Sequence, residues 1–228
     1  MNIVRDFPIE LDLDTVLRGQ GADAEKMRKR PQIVEMYAEA IREAAGLIKP
    51  AIAYNIYPVR EVRHNALVLQ TGKILRSRLV AELLASAREV AVAVATIGGE
   101  LDQQVSAYFS QQQPLRAIAL DAAGVAAVDK LIEHSQQIME TEAANRELKA
   151  SIPLSPGMSQ LCSLDEQRVI FDLLPARQIG VSLTSAAMMA PVKSASMIFG
   201  LGANVLTKDQ GSQCDFCSAR STCRSRKN

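Results

Sequence analysis

Residues 89–96 read EVAVAVAT, and this short run constrains the fold more than any other part of the chain. It alternates like a strand, yet both sets are apolar: Val90, Val92 and Val94 on one side, Ala91, Ala93 and Ala95 on the other. Such a strand is covered on both faces, so it belongs at the centre of a sheet with a packed layer on each side.

Helical periodicity supplies candidates for those layers. From Pro31, residues Ile33, Tyr37, Ala40, Ile41, Ala44 and Ile48 fall on one helical face, and Gly46 and Pro50 close the helix. Residues 51–63 read as extended, a strand edge or crossover, because Pro58 denies a ladder donor and biases Tyr57 away from helix. A short apolar strand at 66–69, a turn at Thr71 and Gly72, and a helix over 74–88 follow. Gly98 and Gly99 open a helix carrying Leu101, Val105, Tyr108 and Phe109; free amides there suit an anion, and tight packing of the turn is the other reading. Pro114 opens a longer helix over 115–140. Its many small residues, among them Ala117, Ala123, Gly124 and Ala127, either admit a close backbone or simply reflect alanine's helix propensity.

Residues 151–168, SIPLSPGMSQLCSLDEQR, cannot be continuous helix because of Pro153, Pro156 and Gly157. A short helix over 164–174 follows, with Ser163 and Glu166 at capping-box spacing. Residues 179–183 and 195–200 read as strands. Beyond Gly202 the chain turns polar, and three of the four cysteines lie in its last fifteen residues.

Composition removes several functions. With 228 residues and 48% hydrophobic content the chain buries a core without disulfides. A net charge of +1 offers no field to gather nucleic acid. The acidic start MNIVRDFPIELDLD is not an export signal, and no apolar run is long enough to span a bilayer. The expectation is a cytoplasmic protein with no nucleic-acid and no membrane partner. The absence of Trp, with only 4% aromatic residues, argues against a sugar-stacking groove. There is no H-E-x-x-H, phosphate loop, nucleophile elbow or D-x-H-x-x-G cobalamin signature. His64 and His134 are too few and too far apart for a paired-histidine site.

Cys214, Cys217 and Cys223 form a C-x2-C-x5-C pattern, whose first step lets two thiolates converge on one metal. Cys162, in the Pro-Gly loop, is the available fourth ligand, and a site using all four would hold the tail against that loop. Zinc would be structural and an iron-sulfur cluster would carry electrons; spacing does not choose between them, and free reduced thiols are the other reading. Asp121 sits among apolar helix neighbours and either faces water or serves a partner. Lys193, Ser194 and Ser196 line a cleft or cross the surface.

Three ordered segments, TIGGELDQQVSAYFSQQQPLRAIALDAAGVAAVDKL, LSPGMSQLCSLDEQ and IGVSLTSAAMMAPVKSASMIFGLG, together resemble the stand-alone relatives of the activation domain of vitamin B12-dependent methionine synthase. The resemblance covers roughly residues 66–202, and a cysteine-rich tail is typical of the anaerobe-type members. It implies an α+β fold with a twisted, mainly antiparallel sheet flanked by helices. The domain organisation expected is a helical and extended segment at 1–60, the activation-domain-like core at 61–205 and the cysteine-rich tail at 206–228. The resemblance further implies that S-adenosylmethionine is bound and its methyl group presented to a corrinoid oxidised to cob(II)alamin, carried by a partner protein. Gly157, Met158, Asp121, Met189, Pro191 and Ser194 are the positions it assigns to that cofactor. The family loop Arg-x-x-x-Gly-Tyr has Pro153, Gly157 and Met158 at its defined positions here, and the later Leu-Thr-Glu-Ser reads Leu183, Thr184, Ser185, Ala186. Two functions follow as expectations: reactivation of a corrinoid-dependent methyltransferase, by reductive methylation or by electron delivery, or a non-catalytic, metal-stapled module that docks a corrinoid protein.

Overall fold

The computed structural model describes residues 1–5, 7–19, 24–160 and 162–223. The chain begins with β1 (Asn2–Arg5), α1 (Leu13–Gly19), α2 (Ala24–Arg28) and α3 (Pro31–Leu47), then β2 (Ala51–Arg63), β3 (Ala66–Leu69), β4 (Ile74–Leu75) and α4 (Arg78–Leu83). The second half comprises β5 (Glu89–Thr96), α5 (Glu100–Ser110), α6 (Pro114–Ala144), β6 (Lys149–Ala150), α7 (Glu166–Leu173), β7 (Ser182–Leu183), β8 (Met189–Ala190) and β9 (Ser194–Gly202). The main sheet runs β4-β3-β2-β5-β9-β6, with β1 added to β2, and all its pairings are antiparallel. A separate two-stranded ribbon is formed by β7 and β8.

β5, apolar from Val90 to Ala95, lies inside the sheet, paired along its whole length with β2 and β9. Its alternation sorts the core into two layers. Val90, Val92 and Val94 join Leu67, Leu69, Leu84, Ile170 and Ile198 on one face. Ala91, Ala93 and Ala95 join Ile52, Leu101, Leu120, Leu131 and Phe199 on the other. Valine meets the shorter helices and loops of the first face; alanine leaves room for the long α6 on the second.

α6 is buried on two sides. Ala117, Ala123 and Ala127 face the sheet, while Ala119, Ala122 and Ala126 pack with Val16, Leu17 and Tyr37 of α1 and α3. The small residues therefore accommodate neighbours on both sides. At Gly124 an added Cβ would lie 2.8 Å from Leu101 Cδ2 and 2.9 Å from Lys193 Cε. Phe7 stacks on His134 with ring centroids 4.2 Å apart, fastening the N-terminal segment to α6.

Three local expectations are corrected. β2 is no edge over Ala51–Tyr54, because β1 and β5 pair with its two sides, and it runs on through residue 60, where the N-terminal segment was expected to end. Pro58 is tolerated because it stands at the end of the β5 ladder, opposite Glu89, where β2 passes from β5 to β3 through a bulge between Val59 and Glu61. The helix expected over 74–88 is divided: Ile74 and Leu75 pair with β3, and helix begins only after Ser77, whose hydroxyl caps it by accepting from Val80 N. The expected strand at 179–183 is a 3-10 turn at Ala176–Ile179 followed by the short β7.

Candidate functional site

The Pro-Gly loop lies against the valine face. Leu154 forms a single bridge with Ile198 of β9, anchoring the loop's start. Gly157 then takes φ +83°, a conformation an L side chain rarely adopts, and donates its N–H to Cys162 O at 2.9 Å. An added Cβ there would meet Leu164 Cδ1 at 3.2 Å. Met158 turns its sulfur inward to accept from Ser155 N at 3.2 Å. Cys162 is fully buried, and burial pushes its thiol pKa up; the nearby Glu166 carboxylate adds to the rise, while a hydrogen bond with Ser77 opposes it.

Glu166 is the least expected residue of this region. The capping-box reading gave it a role at the start of its own helix, but N-cap Asp165 makes no side-chain cap hydrogen bond. The Glu166 carboxylate instead reaches across to accept Arg76 N at 2.7 Å. Burial raises its pKa, with the Arg76 hydrogen bond and charge working against that rise. Gln167 is also buried, donating to Ala187 O at 3.0 Å and accepting from Ser196 Oγ at 3.3 Å. Sequence spacing could not reveal either role, since both partners are distant in the chain.

The tail does meet the loop. Ser218 N donates to Met158 O at 3.0 Å, and Phe216 and Leu206 pack on the valine-face core. Ser212 and Asp215 cap the intervening 3-10 turn reciprocally. Cys214 and Cys217 are half-buried and Cys223 exposed. Among the described residues no three His, Cys, Asp or Glu side chains come together as a metal-ligand set. The four cysteines thus do not assemble as the spacing suggested. Cys162 lies fully buried in the valine-face core, whereas Cys214 and Cys217 are half-buried and Cys223 is exposed. This geometry does not fit a zinc or iron-sulfur centre joining Cys162 to the tail.

A second polar group gathers where β5 ends and β9 begins. Lys193, whose side chain is only 11% exposed, places Nζ 2.5 Å from Asp121 Oδ1 on α6 and 3.8 Å from Asp102 Oδ1 on α5. Asp121 thus serves a partner within the chain. Ser194 Oγ donates to Pro191 O at 2.8 Å and lies 2.9 Å from Thr96 Oγ1; the Ala190–Pro191 bond is cis. The Gly98 amide is taken by Thr96 Oγ1 at 3.0 Å, so this turn is internally satisfied and offers that donor to no anion. Asp121, Pro191 and Ser194 are thereby brought together around Lys193. Met189 is not among them: it packs on the valine-face core.

Two open clefts flank the loop face. One, of about 580 Å³, is lined by residues including Phe171, Asp172, Arg177 and Leu183. The other, of about 450 Å³, adjoins the Pro-Gly loop at Gln160 and is lined by Arg63, Asn65, Ala66, Ile74, Arg76 and Arg78. No helix among the described residues is long and apolar enough to cross a membrane.

This architecture, helices flanking a curled antiparallel sheet, matches the fold of a solved reactivation domain. The particular similarity is to a solved structure described as the crystal structure of the MetH reactivation domain bound to AdoHcy. The two superpose with a TM-score of 0.62 at 15% identity, over 88% of this chain and 78% of that one. At this identity the likeness is one of fold. No protein-family model matches the sequence, and no curated protein matches it.

Proposed function

We propose that this chain reactivates a corrinoid-dependent methyltransferase carried on a separate protein. The observation that supports this most is the reactivation-domain fold extending over 88% of the chain. The same likeness, to a domain bound to AdoHcy, favours S-adenosylmethionine as the small ligand. When bound, that ligand supplies a methyl group.

The fit of this chain's residues to it is incomplete. The tight turn at Gly157 is present, but Pro153 offers no guanidinium for a carboxylate, a charge-assisted contact worth about 1.5–3 kcal/mol. Met158 holds its sulfur against Ser155 N, and Asp121 is engaged by Lys193. These residues order the loop and the β5–β9 end; no methyl-transfer step is assigned to them. The reaction also needs a reducing electron, which this reading takes from an external donor.

The altered loop favours a second reading, a module that docks a corrinoid protein without binding the methyl donor. One measurement tests both readings together and a second separates them. Gel filtration with a corrinoid methyltransferase in its cob(II)alamin state should show co-elution under both, and failure to associate would reject both. Calorimetric titration with AdoHcy should give saturable heat for a reactivating protein and none for a docking module.

A further inference from the structure

The cleft beside the Pro-Gly loop has a composition that the reactivation reading does not use. Three guanidinium-bearing residues from two stretches of backbone line one cavity of about 450 Å³: Arg63 at the end of β2, and Arg76 and Arg78 on either side of Ser77 where β4 gives way to α4. Asn65 and Gln160 add two carboxamides, Ala66 and Ile74 add apolar surface, and no carboxylate is among the described lining residues. The carboxylates that face these arginines, Glu61, Glu82 and Glu166, do not line the cavity itself.

We propose that this cleft binds a phosphoryl group. Guanidinium forks match phosphate oxygens bidentately, and carboxamide N–H groups donate to the oxygens left over. The existing partners of the arginines leave room for such a ligand. Arg78 pairs with Glu82 through Nε alone, and Arg63 with Glu61 through two hydrogen bonds at 3.1 and 3.0 Å; all four side chains are about half exposed, so water and an incoming anion compete for both pairs, more easily at Arg78 than at Arg63. Arg76 is exposed; it donates its backbone N–H to the buried Glu166 carboxylate, whose charge faces it from α7. An anion seated here touches Gln160 of the loop whose Met158 carbonyl holds the tail, so occupancy stiffens the loop-to-tail contact.

The ligand class is a phosphate monoester or diester. Titrating the full-length chain with inorganic phosphate and, separately, with dimethyl phosphate, at constant ionic strength and read by calorimetry, tests the proposal. Saturable binding of either is expected, weakened at least about tenfold by Arg76→Gln and by the double change Arg63→Gln/Arg78→Gln, because each removes charge-assisted donors. Arg177→Gln, in the other cleft, should leave binding unchanged. Preference for inorganic phosphate identifies a free phosphate or phosphorylated metabolite as the source, and preference for dimethyl phosphate a diester within a larger cofactor. Because the substituted side chains are exposed, the variants should keep the parent thermal midpoint. No saturable binding of either compound, or equal affinity in the parent and the arginine variants, overturns the proposal. It does not rest on the corrinoid reading, and loss of corrinoid association would leave this result standing.

Discussion

The two faces of the sheet are built by different means. The alanine face is covered by α3, α5 and α6, and its interior is a close fit of small residues around large ones such as Phe199 and Leu131. The valine face is covered by short helices, the Pro-Gly loop and the tail, with Ser77, Cys162, Glu166, Gln167 and Ser196 buried among its apolar residues. Regular helices satisfy their own backbone. Loops do not, so the second face has to supply buried side-chain partners, as Glu166 does for Arg76 N and Gln167 for Ala187 O. The clefts of about 580 and 450 Å³ adjoin that loop-built face, while smaller ones of about 330 and 260 Å³ lie along α6 on the helical side.

The largest effect should come from the alanine face. Phe199→Ala removes a fully buried ring from a close-packed layer and should cost about 3–5 kcal/mol, read as a lower denaturation midpoint at unchanged slope. A loss below about 1 kcal/mol would mean that this layer is loosely packed. On the valine face, Glu166→Ala leaves the Arg76 amide without its acceptor and should cost about 1–3 kcal/mol.

The faces should also differ in the sign of their pH dependence. Burial raises the Glu166 pKa above its ordinary 4.5, so protonation favours the folded state. Its contribution is complete below that value and is lost as pH rises through the higher folded pKa. Glu142, on the helical side, behaves oppositely. Hydrogen bonds from Tyr54 and Arg146 lower its pKa, so its contribution is present above 4.5 and lost as pH falls through the folded value. The same contact, after burial, helps push Tyr54 up to about 12. Denaturation followed from acid to neutral pH should show Glu166→Gln flattening the decline just above pH 4.5, and Glu142→Gln flattening the rise just below it. Equal pH curves for parent and variants would remove the contrast.

The smallest effect is expected at the β5–β9 end. Lys193→Met keeps the alkyl stem over Gly124 and removes the ammonium, leaving Asp121 and Asp102 side chains that are 42% and 25% exposed and able to rehydrate. The change should cost under about 1 kcal/mol. A much larger loss would make this corner, rather than the loop face, the critical polar centre.

Much of the layered fold was legible because long apolar periods carry it: β5, α3 and α6 all appear where residue spacing puts them. The division of residues 74–88 was not, because Ile74 and Leu75 fit a helical stripe as well as they fit a strand, and only pairing with β3 decides between them. Pro58 suggested an edge because sequence cannot show that β2 changes neighbours there. At the site, a turn at Gly157 was foreseeable; tail and loop were expected to meet only through a four-cysteine metal site and are joined instead by Ser218 N and Met158 O, and Lys193 gathering Asp121 and Asp102 depends on three elements converging from far apart. The cysteine spacing was informative about a turn and not about a ligand set: Cys217 N donates to Cys214 O at 3.4 Å, while Cys162 is held in the core.

The most direct measurement follows the state of the cobalt. Under anaerobic conditions, a corrinoid methyltransferase trapped as cob(II)alamin is mixed with a reductant, S-adenosylmethionine and this chain, and the absorbance is recorded with time. Reactivation predicts chain-dependent loss of the cob(II)alamin spectrum and recovery of methyltransferase activity, and no such change when the chain is omitted. Identical time courses with and without the chain would contradict the account.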